Sequence, residues 1–149
     1  MPQTTTHENA IDCKVFLDNA LGTPVDISGS SNKVEMELEN MVGELTTFGS
    51  KWKVRKVAGK DGTVDLDVVF STAADEGFDI IDDWFHGGND GPRTLRLDVP
   101  NSNVGSRRYT GEFVLESYNI PADSEEADPM KVSVSLKPTG ASTRTMITS

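Results

Sequence analysis

The stretch "VEMELE", Val34 to Glu39, sets apolar residues at 34, 36 and 38 against glutamates at 35, 37 and 39. Strict alternation is the period of a strand, because successive side chains on a pleated backbone point to opposite faces. One face of this strand is therefore apolar and the other is a row of carboxylates. Neighbours on that row lie about 7 Å apart, and each pair repels by roughly 0.6 kcal/mol even in water. Such a face belongs in solvent, while the apolar face needs a second layer to pack on.

Working outward, the same period recurs between turn signals. Residues 12–18 ("DCKVFLD") read as a first strand and "TPVDIS" as a short extended piece. After "NKVEMELE" comes a polar, Gly-bearing stretch, "NMVGELTTFGS" (Asn40–Ser50), read as a loop in which only Leu45 and Phe48 could serve the core. "KWKVRKV" and "TVDLDVVF" flank "AGKDG", which reads as a turn joining residues 51–57 to 63–70 in a hairpin. Later strands are "RTLRLDV", "RRYTGEFVLESYNI", "KVSVSLKP" and "STRTMIT". Many short strands between turns predict a mainly-β fold, a two-sheet β-sandwich or barrel.

One segment breaks the period. In "TAADEGFDIIDDWFHGG" the residues Ala74, Phe78, Ile81 and Phe85 recur at helical spacing, which predicts a helix over about residues 73–86, packed on the sheet through Phe78, Ile81 and Phe85. Thr72 with Asp75 resembles a capping box, and Gly87 and Gly88 supply a stop. Residues 1–10 carry no pattern and read as an arm without a fold of its own, leaving 11–149 as one domain. No repeat and no linker interrupts it.

Composition limits what such a domain does. The formal charge is −10, from 24 acidic and 14 basic residues, which argues against a partner held by its phosphates. A lone cysteine, Cys13, permits no intrachain disulfide and falls in the alternation Ile11, Cys13, Val15, Leu17 of a buried strand face. The N-terminal residues lack a secretory pattern, and no run approaches the ~18 apolar residues of a membrane span, so a soluble cytoplasmic product is expected. Catalysis is not expected. The two histidines, His7 and His86, stand beside no serine that the sequence marks as activated. Asp79, Asp82, Asp83 and His86 have the spacing of half a metal site, but a solvated acidic helix face explains them as well, and no cofactor is expected. "GGNDG" lacks the acidic spacing of a calcium loop.

Two blocks carry a resemblance. "GELTTFGSKWKVRKVAGKDGTVDLDVVF", Gly43 to Phe70, resembles the core motif of the major tail (tail tube) proteins of long, non-contractile tailed phages. "YTGEFVLESYNI" followed by "MKVSVSLKPTGASTRTMIT" is similar to that family's ending, a Tyr-Thr-Gly strand, a variable loop, and a strand finishing in Thr-Gly before a short Thr/Arg strand. The resemblance implies a structural virion protein whose inner sheets join across six subunits into one ring barrel. It implies rings stacked into a tube, assembled in the host cytoplasm and carried in the virion tail, that conducts double-stranded DNA during ejection without binding it specifically. The implied partners are other copies of the chain, tail tip and terminator proteins, and a tape measure protein inside the tube during assembly, with no membrane insertion. It also implies that Gly43, Glu44, Leu45, Thr46, Thr47, Phe48 and Gly49 form a loop reaching a neighbouring subunit or ring.

The carboxylate row then has a role to test. Glu35, Glu37 and Glu39, with Glu112 and Glu116 on another alternating strand, are read as lining the lumen and repelling passing phosphates. The competing reading is an outer face on which the glutamates pair across strands with Lys51, Lys53 and Arg55. Other readings of the whole chain are a type VI secretion-type tube protein and a monomeric binding sandwich. The latter would show an exposed aromatic platform, and aromatics make up only 7% of this chain.

Overall fold

The computed structural model describes residues 12–46, 48–49, 51–74, 76–122 and 130–148. The expected arm over residues 1–10 lies outside them, as do Thr47 and Asp75. The fold is mainly β. The strands are β1 (Lys14–Asp18), β2 (Pro24–Asp26), β3 (Ser31–Leu45), β4 (Val54–Val69), β5 (Arg93–Val99), β6 (Arg107–Asn119), β7 (Lys131–Pro138) and β8 (Thr143–Met146), with a helix α1 (Gly77–His86) between β4 and β5.

All pairings are antiparallel and join into one sheet in the order β2-β1-β5-β6-β7-β4-β3, with β8 on β6. The mainly-β expectation holds, with the strands joined in one continuous sheet. The long β6 belongs to both halves, its start pairing with β5 and β8 and its end with β7. Leu17 and Leu95 from one end of this order and Val64, Leu66 and Val132 from the other share a single core cluster with α1, so the sheet folds over on itself. Fully burying such side chains contributes about 1.5–3 kcal/mol each.

The "AGKDG" turn is corrected. β4 runs straight through these residues and pairs with β3 along its length, from Ser31 opposite Val68 to Leu45 opposite Val54. The glycines there serve close approach between strands. A Cβ on Gly62 would stand 2.7 Å from the Glu37 carbonyl oxygen, and one on Gly59 2.6 Å from Cε of Met41. Ala58 has no partner between Gly59, opposite Met41, and Val57, opposite Val42, and makes a bulge that adds twist. Asn40–Leu45, expected as loop, is strand, and the chain reverses beyond it, with Gly49 at a φ of 92° that favours glycine.

α1 starts later than its sequence stripe. Glu76 is the N-cap, without a side-chain cap, and the Gly77 amide donates to Ser30 Oγ at 2.9 Å, a partner 47 residues upstream. The start at Gly77 leaves Ala74 outside the helix and turns Phe78, Ile80, Ile81 and Trp84 inward. Phe85, expected among the packing residues, is more than half exposed, with its ring 5.5 Å from that of Tyr118. The helix ends at Gly87, whose amide donates to the Asp83 carbonyl. Cys13 is partly buried, next to the buried Val15 and Leu17 of the same alternation. Among the described residues, no helix is long and apolar enough to cross a membrane.

Candidate functional site

The β3–β4 hairpin has two halves of different character, divided where the β7 ladder stops. β7 covers β4 only from Val69, opposite Lys131, to Val64, opposite Leu136. In this supported half, Val34 and Met36 of β3 and Val64, Leu66 and Val68 of β4 face the core. The alternate residues form the outer face.

On that face acid stands against acid. Glu35 is paired with Asp65, Glu37 with Thr63 and Glu39 with Asp61. Directly opposed side chains have Cβ atoms about 5 Å apart, a placement in which like charges are destabilising. Continuing across the sheet, Asp65 is paired with Ser135 and Asp67 with Ser133. Ser135 Oγ donates to Glu116 Oε2 at 3.3 Å from β6. Glu35, Asp65, Ser135 and Glu116 thus make a line across four strands. Two lysines touch the field: Lys33 Nζ lies 3.5 Å from Glu35, and Lys137 Nζ donates to Thr63 Oγ1 at 2.7 Å and lies 3.9 Å from Glu116.

Glu112 also faces away from the core but sits on the β5–β6 ladder, opposite Thr94, whose hydroxyl donates to its carboxylate. Asp18 is nearby. Burial pushes the Asp18 carboxyl up, the Glu112 charge adds to that, and hydrogen bonds from Thr94 oppose it.

The competing cross-strand pairing is not what forms. Lys53 and Arg55 close on Glu44, at 3.4 Å and 3.0 Å, in the unsupported half of the hairpin. The sequence reading missed Asp61, Asp65 and Asp67. Their signal was present, since "DGTVDLD" carries acids in the same phase as the strand, but treating residues 58–62 as a turn detached them from the glutamate row.

The distal half, from Val54 to Thr63 on β4, pairs among the described residues with β3 alone and extends about 33 Å at ~3.3 Å per residue. Its apolar side chains are uncovered among the described residues. Leu38, Met41, Val42, Leu45, Val54 and Val57 are all at least half exposed, Trp52 is 82% exposed, and Phe48 is fully exposed. Leu45 and Phe48 therefore have no place in the subunit's core, contrary to expectation. Of the stacking-loop residues, Gly43, Glu44 and Leu45 lie in β3, while Thr46, Phe48 and Gly49 lie in the tip.

Of the acidic helix residues, Asp82 has ordinary structural partners. Asp82 Oδ1 accepts from the Tyr118 hydroxyl at 2.9 Å and lies 3.8 Å from His86 Nε2. Among the described residues no group of three or more His, Cys, Asp and Glu side chains is placed to hold a metal ion.

No protein-family model matches this sequence, and no curated protein sequence matches it. Solved structures do match over nearly the whole chain. A chain from the tail of an empty gene transfer agent particle, a helical assembly of C6 symmetry, superposes with a TM-score of 0.74 at 16% identity over 93% of this chain and 99% of that one. The SPP1 tail tube gives 0.73 at 15% identity, covering 96% and 81%. The sheath-tube complex of an extracellular contractile injection system gives 0.69 at 10% identity, covering 96% and 94%. The fold is that of the subunits from which these tubular assemblies are built.

Proposed function

We propose that this chain is the repeating structural subunit of a phage-type tail tube, in which six copies close into a ring, rings stack, and the lumen conducts double-stranded DNA. The observation that carries the reading is the uncovered β3–β4 hairpin within a fold shared end to end with tube subunits. β3 pairs only with β4 among the described residues, so its other edge offers unpaired backbone groups to a neighbour. Closing a barrel across subunits would satisfy that edge, and burying the distal apolar residues against neighbours would remove them from water. The acidic outer face suits a wet lumen wall, because DNA adheres to basic walls by counterion release and slides past acidic ones. The role is structural, in the virion tail, with other copies, tail tip and terminator proteins, and a tape measure protein as partners.

A second reading is favoured by the likeness to the contractile injection system chain: a tube that works inside a sheath, as in type VI secretion. A sheath gene beside this one would decide for it. The tube reading itself is tested by light scattering and negative-stain microscopy of the purified chain. Six-membered rings or tubes are expected; a monomer at high concentration across salt conditions would count decisively against it.

A further inference from the structure

The two ends of β6 carry opposite charge. Residues 123–129, "DSEEADP", hold four of the chain's 24 acidic residues and no basic one. They connect β6 to β7 and lie outside the described residues, but both flanks are placed. Asn119 pairs with Ser133, and the Phe70 amide donates to the Met130 carbonyl at 2.8 Å, so the acidic segment leaves the sheet where β4 and β6 end.

The other end of β6 is basic. Of the arginines on β5, β6 and β8, Arg93 is buried beside Trp84, and Arg96 and Arg108 close on Asp98. Arg107 and Arg144 remain, both exposed and neither in an ion pair among the described residues. They share one face with an apolar residue: Arg107 stands opposite Met146, and Arg144 lies two residues before it on β8. Val104 is beside them, because the Gly105 amide donates to the Ile147 carbonyl at 2.9 Å and ties its loop to the end of β8. Met146 and Val104 are both more than half exposed.

We infer that this Arg107–Arg144 patch receives the acidic segment 123–129 of a second copy, in an ionic joint separate from the hairpin. The inference rests on the tube reading and names a further pair of surfaces between copies. Within one copy the two cannot meet. β6 separates Arg107 from Asn119 by about 40 Å at ~3.3 Å per residue, whereas no residue of the segment lies more than four positions from a described flank, a reach of about 14 Å. The chemistry matches. A guanidinium binds a carboxylate through two parallel hydrogen bonds, and Val104 and Met146 beside the arginines limit the water that would weaken them. The acidic outer face of the sheet is a poorer partner, since Lys33 and Lys137 already offset part of its charge. Patch and segment at opposite ends of a strand make the contact heterologous, so it repeats from copy to copy instead of closing a pair.

Charge reversal and cross-linking of the full chain test this. Glu125→Lys with Glu126→Lys should raise the concentration needed for stacking roughly tenfold or more, and adding Arg107→Glu with Arg144→Glu should restore it. Unchanged stacking in the first variant, or no recovery in the second, overturns the joint. In a Cys13→Ser background, Val104→Cys with Ser124→Cys leaves every charge in place and should give a ladder of linked copies on a non-reducing gel. Val104→Cys with Leu21→Cys, the latter an exposed residue between β1 and β2, should give none. An absent ladder, or an equal one from the Leu21 pair, means that something else covers the patch and overturns the proposal. Tubes without the ladder reject this joint alone, whereas a ladder without six-membered rings rejects the ring reading and leaves the joint standing.

Discussion

Arg108 closes on Asp98 with two parallel hydrogen bonds, Nε to Oδ1 at 2.9 Å and Nη2 to Oδ2 at 3.2 Å, on a carboxylate with no exposed surface. Ser102 Oγ donates to the same carboxylate at 2.8 Å, so the pair also ties down the loop between β5 and β6. Arg96, its guanidinium 3.9 Å over the Phe16 ring, adds positive charge at 4.0 Å. Breaking such a pair from one side leaves a buried charge without its partner. Arg108→Ala should therefore destabilise the subunit by about 3 kcal/mol, measured by urea unfolding.

The same carboxyl sets a limit in acid. Burial alone would raise its pKa, but the hydrogen bonds from Arg108 and Ser102 and the charges of Arg108 and Arg96 outweigh it and hold the group below its ordinary value. A depressed folded-state pKa means stability that is complete above the unfolded pKa of about 3.9 and lost as pH falls through the folded value. Unfolding free energy should fall steeply below about pH 4 in the native chain, and Asp98→Asn should flatten that fall. An unchanged slope in the variant would assign acid sensitivity to other carboxylates.

Tyr118 behaves in the opposite sense. Burial, then its hydrogen bond to Asp82 and that residue's charge, push its hydroxyl up to about 12. A raised folded-state pKa means stability present below the unfolded value of about 10 and lost as pH climbs through the folded one. Absorbance at 295 nm should show a late-ionising tyrosine that Tyr118→Phe removes, with a stability cost of about 1 kcal/mol near neutral pH. A single titration step at the ordinary value would contradict this environment.

Gly62 holds the two halves of the hairpin in register. A methyl group there would press on the Glu37 carbonyl oxygen at 2.7 Å and on Leu38 at 3.3 Å. Gly62→Ala should part β3 from β4 at this point and speed amide exchange in the distal hairpin, with protection of Val132–Leu136 in the core unchanged. Native exchange throughout would show that the strands absorb the methyl group without moving.

How far the sequence was legible depended on which residues carried a period. Alternation placed β1, β5, β6 and β7, because each has one face in the core and a one-residue slip would turn that face to water. It failed at Asn40–Leu45 and at residues 58–61, where both faces of the hairpin are largely exposed and no core imposes a pattern, whereas the alternation of residues 54–57 was read correctly as strand. Gly59 and Gly62 looked like turn residues for the same reason. Glycine relieves crowding between strands as readily as it permits a turn, and only the pairing register tells the two apart. In α1 the spacing of Ala74 and Phe85 was compatible with a stripe that Trp84 in fact occupies, because the start at Gly77 is set by Ser30, far away in sequence. The carboxylate row was legible, but its partners were not, since Asp61 and Asp65 meet Glu39 and Glu35 only after β4 is read as one unbroken strand.

That meeting gives the sharpest test of the lumen proposal. With Asp61, Thr63 and Asp65 as cross-strand neighbours, Glu35, Glu37 and Glu39 gain no compensation from β4, and Lys33 and Lys137 offset the field only in part. Opposed like charges that destabilise the subunit invite an explanation outside it, and repulsion of a phosphate polymer is one. Changing the three glutamates to lysine should stabilise the isolated subunit slightly, by a few tenths of a kcal/mol for each opposite-charge pair formed with Asp65 and Asp61. Tubes should still assemble. If the row lines the lumen, DNA carrying one charge per ~1.7 Å would adhere to the altered wall, and ejection should slow or stop. The defect should ease as salt rises from 0.1 M towards 1 M and the screening length shortens from about 10 Å to 3 Å. Ejection at the native rate from tubes of the lysine variant, measured by dye uptake of released DNA, would place the row on the tube's exterior as a solubilising surface.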